Sequence, residues 1–359
     1  MDAPFACEFL RRPMPLRIPC AITALLLALP AGAAPWCTAE PPLASLAKTL
    51  LADAGKRAGE GPRAVARLHT EGTLPHQGIW DQSVEAKKDL PLIRDLALAW
   101  RSDPAPATLS QLAALLDAWS KVYQPSFNPI DETDFDTVID AFAISRQALP
   151  AATREATAQW VRVLGEGYIA QMRHPAHPGR GTWTNNWQSH RIKLATLAAV
   201  ALEDEGLFAA ARAEFRKQLG QNLLADGSTI DFGERDALHY TVYDLEPLTR
   251  AAMAAATRGE DWLHLTGNSG ASLASALDWL LAYARGDKTH EEYVHTTVKF
   301  DLQRRDAGVP GFGGMWEPRS SSQLYWLAST LDARYRETAQ RLNGPPAWLS
   351  ACWGISKTP

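Results

Sequence analysis

The stretch Thr184–Arg191, TNNWQSHR, opens the most clearly helical part of the chain. Thr or Asn at a helix start caps the free amide groups of the first turn, and the following residues to Leu202 are rich in Ala and Leu. Asn186 and His190 are four residues apart, so they share one face near this helix N-terminus. The partial positive charge there favours an anion such as a carboxylate. The alternative is an ordinary capped helix with a surface histidine, and this stretch alone leaves both open.

Helical periodicity continues through the rest of the chain, where apolar residues recur at three- and four-residue steps. The predicted helices are Leu43–Arg57, Leu90–Arg101, Thr108–Tyr123, Phe135–Ala148, Ala152–Met172, Asn186–Leu202, Phe208–Leu223, Asp236–Thr257, Ala271–Ala284 and Ser321–Arg334. Strand-like alternation is confined to Tyr293–Phe300. Short to moderate connectors between so many helices predict an all-α fold of stacked helical hairpins, with residues 34–359 forming one domain.

The N-terminus has the pattern of an export signal. Arginines precede an apolar run over residues 21–29, and small residues at 31–34 supply a cleavage site. Cleavage after Ala33 is favoured, because cutting one residue later would leave Pro35 first. We therefore expect a signal peptide over residues 1–33, with Met14 as an alternative start. The mature protein is expected to be periplasmic or secreted, monomeric and free of the membrane, since the apolar run is too short to span it.

Net charge and cysteine content bear on the ligands that the protein can bind and on its disulfide bonding. A net charge of −4 disfavours nucleic-acid binding, which requires a basic surface. Cys37 and Cys352 remain after signal removal, and an oxidising compartment favours a disulfide between them over two free thiols. No Cys or His spacing indicates a metal site, and we expect neither metal nor cofactor.

A second informative stretch is Arg235–Tyr243, RDALHYTVY. Tyr240 and Tyr243 are three residues apart and lie on one helical face, and Pro247 is expected to kink the same helix. The alternative explanation is that these tyrosines belong to the hydrophobic core.

Three irregular connectors carry aromatic and charged residues of the kind found at binding sites, namely Glu71–Ser83, His174–Thr182 and Val309–Arg319.

Together, the two stretches resemble the alginate lyase family, whose members carry an Asn-Asn pair at a helix start and, further along, an Ala-Leu-His-Tyr run. Asn185-Asn186 and Ala237–Tyr240 match these motifs. The resemblance implies an incomplete α/α toroid whose groove binds an acidic polysaccharide and cleaves it by β-elimination at a uronic acid. By position, Asn186 would help to hold the substrate carboxylate, and Tyr240 would act as base and acid.

The sequence departs from the family pattern at two places. Trp187 stands where the family commonly has His, and His190 is the nearest substitute. The family's assisting Arg would fall on Gly233, and the nearest arginine is Arg235. The chain therefore looks like a divergent branch, similar to the lineages that act on glucuronan or mannuronan.

The chemistry agrees with this resemblance. A free tyrosine has a pKa of about 10, so a tyrosine base needs neighbouring positive charge to favour its phenolate. The candidate catalytic residues are Tyr240, as base and acid, and His190, Asn186 and Arg235, which would neutralise the substrate carboxylate. The candidate substrate-binding residues are Asn185, Trp187, His239, Tyr243, Trp183, Arg319 and Trp316. In mannuronate and glucuronate the C5 hydrogen and O4 lie on the same ring face. One tyrosine can therefore remove the C5 proton and return it to O4.

Two other functions remain open at this stage. A glycoside hydrolase on a similar toroid needs two carboxylates about 5–10 Å apart. Asp136, Asp226, Asp231 and Glu234 are candidates, but their spacing suggests no pair. A non-catalytic protein that binds acidic polysaccharide through a groove lined by tryptophans is the other alternative.

Overall fold

The computed structural model describes residues 36–37, 44–55 and 61–356. Within these ranges the regular structure is helical, and the only β-type pairings are three isolated bridges. The α-helices are α1 (Ala44–Gly55), α2 (Trp80–Lys87), α3 (Asp89–Ser102), α4 (Pro106–Val122), α5 (Asp136–Ser145), α6 (Ala151–Arg173), α7 (Asn186–Leu202), α8 (Glu205–Asn222), α9 (Ile230–Arg235), α10 (Leu238–Ala256), α11 (Leu273–Ala284), α12 (Lys299–Asp306), α13 (Ser322–Leu331), α14 (Arg336–Leu342) and α15 (Ala347–Trp353). The predicted signal peptide, residues 1–33, lies outside the described residues.

The helices form two layers. The inner helices α3, α5, α7, α10 and α13 pack side by side in that order, and α4, α6, α8, α11 and α14 pack behind them. The predicted class, an all-α α/α toroid, is confirmed. Helix α7 is central, since it packs on α5, α6, α8 and α10, and all its residues from Asn186 to Ala201 are buried except Trp187. Such all-round burial explains its Ala-rich sequence without a polar face.

Local chemistry sets the limits of α7. The side chain of Asn185 accepts a hydrogen bond from the Trp187 backbone N–H, which is the predicted N-cap. At the other end, Glu203 adopts a left-handed conformation with φ 57°, which stops the helix. Helices α6 and α7 approach closely at Gly165, where an added Cβ would lie 2.8 Å from Cβ of Ala198.

Two sequence expectations need correction. The segment Tyr293–Phe300 is not a strand, because Tyr293 has φ 63° and α12 already begins at Lys299. The helix predicted to begin at Asp236 starts at Leu238 instead, because Asp236 has φ 50° and separates α9 from α10. Five short helices, α2, α9, α12, α14 and α15, were not predicted, since each spans too few residues to show a clear period.

The predicted disulfide is confirmed. Cys37 and Cys352 are bonded, and their Cα atoms are 4.4 Å apart. Arg101 of α3 reinforces this junction by donating hydrogen bonds to the carbonyl oxygens of Cys37 and Ala351, at 3.2 and 3.5 Å. Helix α15 is thereby fastened to α3, an inner helix.

Candidate active site

A cavity of about 380 Å³ opens beside Tyr240, and we call it the Tyr240 cavity. Its walls come from the loop before α2, from α2 itself, from α10 and α12, and from the glycine-rich loop after α12. The lining residues are Thr70, Glu71, Thr73, Pro75, Trp80, Val84, Lys87, Ile130, His239, Tyr240, Tyr243, Arg304, Val309 and Phe312. Two of the three connectors singled out by sequence, Glu71–Ser83 and Val309–Arg319, therefore contribute to its wall.

Tyr240 lies between two arginines. Its hydroxyl oxygen is 3.0 Å from Nη1 of Arg304, which donates a hydrogen bond to it. The Cζ atom of Arg235 lies 3.7 Å from the centroid of the Tyr240 ring. Burial raises the pKa of Tyr240, and the two guanidinium groups act in the opposite direction by favouring the phenolate.

Buried carboxylates hold the Arg235 guanidinium in place. Its Nη1 donates to Oδ1 of Asp301 at 2.6 Å, and its Nε is 3.8 Å from Oδ1 of Asp231. Asp301 also accepts a hydrogen bond from Thr296, at 3.1 Å. Arg235 does not line the Tyr240 cavity, so it acts on Tyr240 through the ring.

Arg304 is the residue of this site that the sequence did not reveal. It belongs to α12, one turn after Asp301, and its guanidinium packs over the rings of Phe300 and Phe312 at 4.2 and 4.9 Å. The helix is short and strongly polar, and no motif marks it. The one sequence feature that could have pointed to Arg304 is the basic pair Arg304-Arg305 in the last turn of this helix.

His239 and Tyr243 complete the cavity wall next to Tyr240. Their rings are stacked, with centroids 6.3 Å apart. Burial, together with the charges of Arg235 and Arg304, lowers the pKa of His239, so this imidazole is neutral near pH 7. Burial raises the pKa of Tyr243, which keeps its hydroxyl protonated.

His190 lies on the other side of Tyr243 and does not reach Tyr240. Its ring centroid is 4.4 Å from that of Tyr243, and its Nδ1 is 2.7 Å from Oγ1 of Thr133. The side chain is fully buried, which lowers its pKa well below the usual value, and the nearby charge of Lys193 lowers it further. His190 is therefore a neutral imidazole.

Asn186 is engaged within the protein. Its backbone N–H and its Nδ2 both donate to the buried carboxylate of Asp231, at 2.7 and 2.5 Å. Asn185 serves as the cap of α7. The amide pair thus forms part of the start of α7, and neither residue lines the Tyr240 cavity.

The remaining predicted binding residues lie elsewhere. Trp183 and Trp187 both contact the guanidinium of Arg191, at 3.9 and 5.8 Å. Trp316 is buried and its backbone N–H donates to the His290 carbonyl, whereas Arg319 is exposed. The structure brings none of Trp183, Trp187, Trp316 or Arg319 to the wall of the Tyr240 cavity.

A second cavity, of about 410 Å³, adjoins the first and shares Lys87 and Tyr243 with it. Because its wall is formed mainly by the inner helices, we call it the inner cavity. It is lined by Lys87, Pro91, Arg94, Thr133, Asp134, Asp136, Thr137, His190, Lys193, Tyr243, Glu246, Pro247, Arg250, Gln323, Leu327 and Trp348. His190 thus faces the inner cavity, one tyrosine ring away from Tyr240.

Asp131 fixes the loop that covers the Tyr240 cavity. It accepts hydrogen bonds from the backbone N–H groups of Thr70 and Glu71, at 2.7 and 2.9 Å, and lies 3.1 Å from Nδ1 of His69. The described residues contain no cluster of His, Cys, Asp or Glu suited to a metal ion. Asp131 therefore holds the backbone of this loop in place.

Comparisons with known proteins agree with this architecture. A family model described as Alginate lyase matches residues 40–290. A crystal structure of an alginate lyase from Bacteroides ovatus is 17% identical, with a TM-score of 0.64 over 87% of this chain and 94% of that one. Alginate lyase A1-III from Sphingomonas species A1 is 22% identical, with a TM-score of 0.53 over 68% and 77%. A variant of A1-III complexed with a tetrasaccharide is 21% identical, with a TM-score of 0.52 over 68% and 76%. A search of curated proteins finds no match.

Proposed function

Because this chain belongs to the alginate lyase family and is a polysaccharide lyase acting on alginate-like polymers, we propose that Tyr240 is its catalytic base and acid. The substrate we propose is mannuronate-rich alginate or glucuronan, cleaved by β-elimination. In this reaction the C5 proton of a uronate is removed and the bond from C4 to its glycosidic oxygen breaks. The same proton then returns to the leaving oxygen.

The observation that carries the proposal is the surrounding of the Tyr240 hydroxyl. It lies at a cavity wall, accepts a hydrogen bond from Arg304 and has the guanidinium of Arg235 against its ring. A phenol with a pKa near 10 becomes a useful base only where positive charge favours its phenolate. Burial disfavours the charged phenolate at this site, and the two arginines supply the positive charge that favours it.

Elimination also requires the substrate carboxylate to be neutralised, so that C5 becomes acidic. Arg304 and Lys87 line the Tyr240 cavity, but Lys87 is paired with Asp134 at 3.2 Å, so we assign this role to Arg304.

Asn186, His190 and Arg235 were predicted to contact the carboxylate, but His190 faces the inner cavity. Since Asn186 donates to Asp231 and Arg235 to Asp301, we propose instead that both are positioning residues behind Tyr240.

A single tyrosine at the reacting centre favours sugars whose C5 hydrogen and O4 share a ring face. Tyr243 and His239 are the neighbouring alternatives for the base. Tyr243 is fully protonated through burial, and His239 is flanked by the same two arginines that favour the phenolate of Tyr240. Trp80, Phe312 and Pro75 supply the apolar surface of the cavity, against which sugar rings can pack.

A glycoside hydrolase is less well supported. Among the described residues that line the Tyr240 cavity, Glu71 is the only carboxylic acid, so the paired carboxylates of hydrolysis are missing there. The tetrasaccharide bound to the A1-III variant favours an oligosaccharide ligand for this fold, and a non-catalytic role would leave the charged environment of Tyr240 unexplained.

We further propose that the protein is exported by the signal peptide predicted at residues 1–33. The disulfide between Cys37 and Cys352 supports an oxidising compartment. Among the described residues, no helix combines the length and apolarity needed to cross a membrane.

The proposed reaction is tested by incubating the purified mature protein with polymannuronate, polyguluronate, glucuronan and hyaluronan. Elimination creates a double bond conjugated with the carboxylate, so ultraviolet absorbance should rise with polymannuronate or glucuronan and much less with polyguluronate. New reducing ends without that absorbance would indicate hydrolysis and would refute the proposal.

A further inference from the structure

We propose that a surface outside the two cavities binds a second part of the acidic polysaccharide chain that reacts at Tyr240. Arg180, Trp183 and Trp187 form this surface over the guanidinium of Arg191, and we call it the Trp183 platform. The inference rests on the proposed lyase function and adds a distal binding site to it. None of the four residues lines either cavity.

The two tryptophan rings of the platform are fixed on one buried cation. The Cζ atom of Arg191 lies 3.9 Å from the ring centroid of Trp183 and 5.8 Å from that of Trp187. Arg191 is 3% exposed, and its Nη1 donates to the carbonyl oxygen of Thr182 at 2.5 Å. Nε1 of Trp183 donates to the carbonyl oxygen of His177 at 2.9 Å. The rings are therefore held in place before a ligand arrives, which lowers the entropic cost of binding.

These two rings do not serve the hydrophobic core. Both are partly exposed, and neither packs against the core of the described residues, whereas the partly exposed ring of Trp279 does. Because the Arg191 guanidinium covers one face of Trp183, the exposed part of that ring is its other face and its edge. An aromatic face carries partial negative charge and attracts the polarised C–H groups of a sugar ring. Trp and Arg are also the residues enriched where proteins bind partners.

The segment that carries the platform offers positive charge without acidic neighbours in sequence. No acidic residue occurs between Glu166 and Glu203. Among the described residues, no carboxylate lies within 4.0 Å of Arg173, Arg180 or Arg191. Arg173 and Arg180 are also exposed, so their charge is offered to solvent. A uronate polymer carries one carboxylate per sugar and therefore suits a surface that combines aromatic rings with unpaired cations.

The platform lies at the same end of the inner helices as Tyr240. His190 in the second turn of α7 packs against Tyr243 in the second turn of α10, with ring centroids 4.4 Å apart. The two helices therefore begin at the same end of the molecule. Neighbouring packed helices lie about 8–10 Å apart. Trp187 in the first turn of α7 and Tyr240 in the first turn of α10 are thus within reach of one polymer chain.

The test uses charge reversal, with binding measured in a Tyr240→Phe background so that the polymer stays intact. Arg180→Glu removes a cation of the platform and repels a polyanion. Arg154→Glu is the matched control, because it changes the net charge equally and Arg154 also has no carboxylate within 4.0 Å among the described residues. Arg154 is in α6, about 28 Å from the end of that helix at Arg173, at 1.5 Å per residue. Trp183→Ala removes one ring.

The Kd values for polymannuronate and glucuronan are measured by calorimetry. Arg180→Glu should weaken binding by about 3- to 30-fold, since an exposed ion pair is lost and a repulsion of similar size replaces it. Trp183→Ala should weaken it by at least about 5-fold, the effect of an interface tryptophan, while Arg154→Glu stays near the background protein. Equal Kd values for Arg180→Glu and Arg154→Glu would overturn the platform. If Trp183→Ala does not fold, Arg180→Glu decides alone, and a folded Trp183→Ala protein with unchanged Kd would also overturn the platform.

Two further measurements fix the ligand class and the mode of action. Neutral mannan should not bind, and mannan binding as tight as that of polymannuronate would refute an acidic ligand. With the catalytic tyrosine in place, Arg180→Glu should raise KM for the polymer and leave kcat near wild type, because the platform does not touch the reacting sugar.

The binding experiment separates this inference from the lyase assignment. If wild type cleaves no polymer but Arg180→Glu still weakens Kd more than Arg154→Glu does, the lyase function fails and the platform stands. If the polymer is cleaved with the same KM by both variants, the lyase function stands and the platform is refuted. Absence of binding to both polyuronates would refute the platform as well.

Discussion

Tyr240→Phe isolates the proposed proton transfer, because it removes one hydroxyl and keeps the ring. The ring contacts with Arg235, Tyr243 and Tyr293 remain possible, and the lost interaction is the single hydrogen bond from Arg304. The folded state should therefore lose no more than about 1.5–3 kcal/mol, the range for a hydrogen bond to a charged group. Turnover should fall by about 10²–10⁴-fold, since general acid–base catalysis supplies that factor.

The assay measures kcat and KM from the ultraviolet absorbance of the product, together with Kd for the polymer by calorimetry. We expect kcat to collapse while Kd changes little, because Arg304 still faces the substrate. Tyr243→Phe is the matched control on the same helix and should retain most activity. A Tyr240→Phe enzyme with more than about a tenth of wild-type kcat would refute the reasoning, since even the low end of the range demands more.

Three other changes test the surroundings of the site. Arg304→Gln should move the rising limb of the pH profile of kcat/KM to higher pH, because the pKa of Tyr240 rises without this guanidinium; an unmoved limb would contradict the role of Arg304. Glu246 has a folded-state pKa of about 7 against an ordinary value of 4.5, so its contribution to stability is present at low pH and is lost as the pH rises through about 7. Glu246→Gln should therefore flatten the fall in unfolding free energy between those values, as measured with urea; an unchanged slope would assign the pH dependence elsewhere. Replacing Cys37 and Cys352 by Ser should cost about 2–5 kcal/mol of stability, and a Tm equal to that of the oxidised wild type would count against this.

Much of the fold follows from local sequence signals. Helix α7 was predicted with both limits correct, because Asn185 caps it and the following residues form an unbroken helical run. The error at Tyr293–Phe300 shows where local reading fails. Alternating apolar residues suggested a strand there, but the backbone N–H of Tyr293 donates to Asp236, and that of Thr297 to Glu234, across the chain. Those contacts depend on tertiary structure and leave no periodic trace.

The site was predictable only in part for the same reason. Tyr240 and His239 follow from the second motif and do line a cavity. The shared face of Asn186 and His190 suggested that both serve one groove, but Asp231 engages Asn186, and Tyr243 stands between His190 and Tyr240. Helical spacing gives the direction of a side chain and says nothing about which neighbour occupies that direction.

The two arginines beside Tyr240 differ in the charge they offer to substrate. Arg235 is paired at 2.6 Å with the buried carboxylate of Asp301, so much of its field beyond Tyr240 is cancelled. Arg304 has no carboxylate within 4.0 Å among the described residues, donates directly to the Tyr240 hydroxyl and lines the cavity. Its uncompensated charge can act on the phenolate and on a uronate carboxylate at once. In the proposed mechanism, α12 supplies the cation at the tyrosine oxygen through Arg304, so the assisting arginine that the family places at the position of Gly233 is not needed.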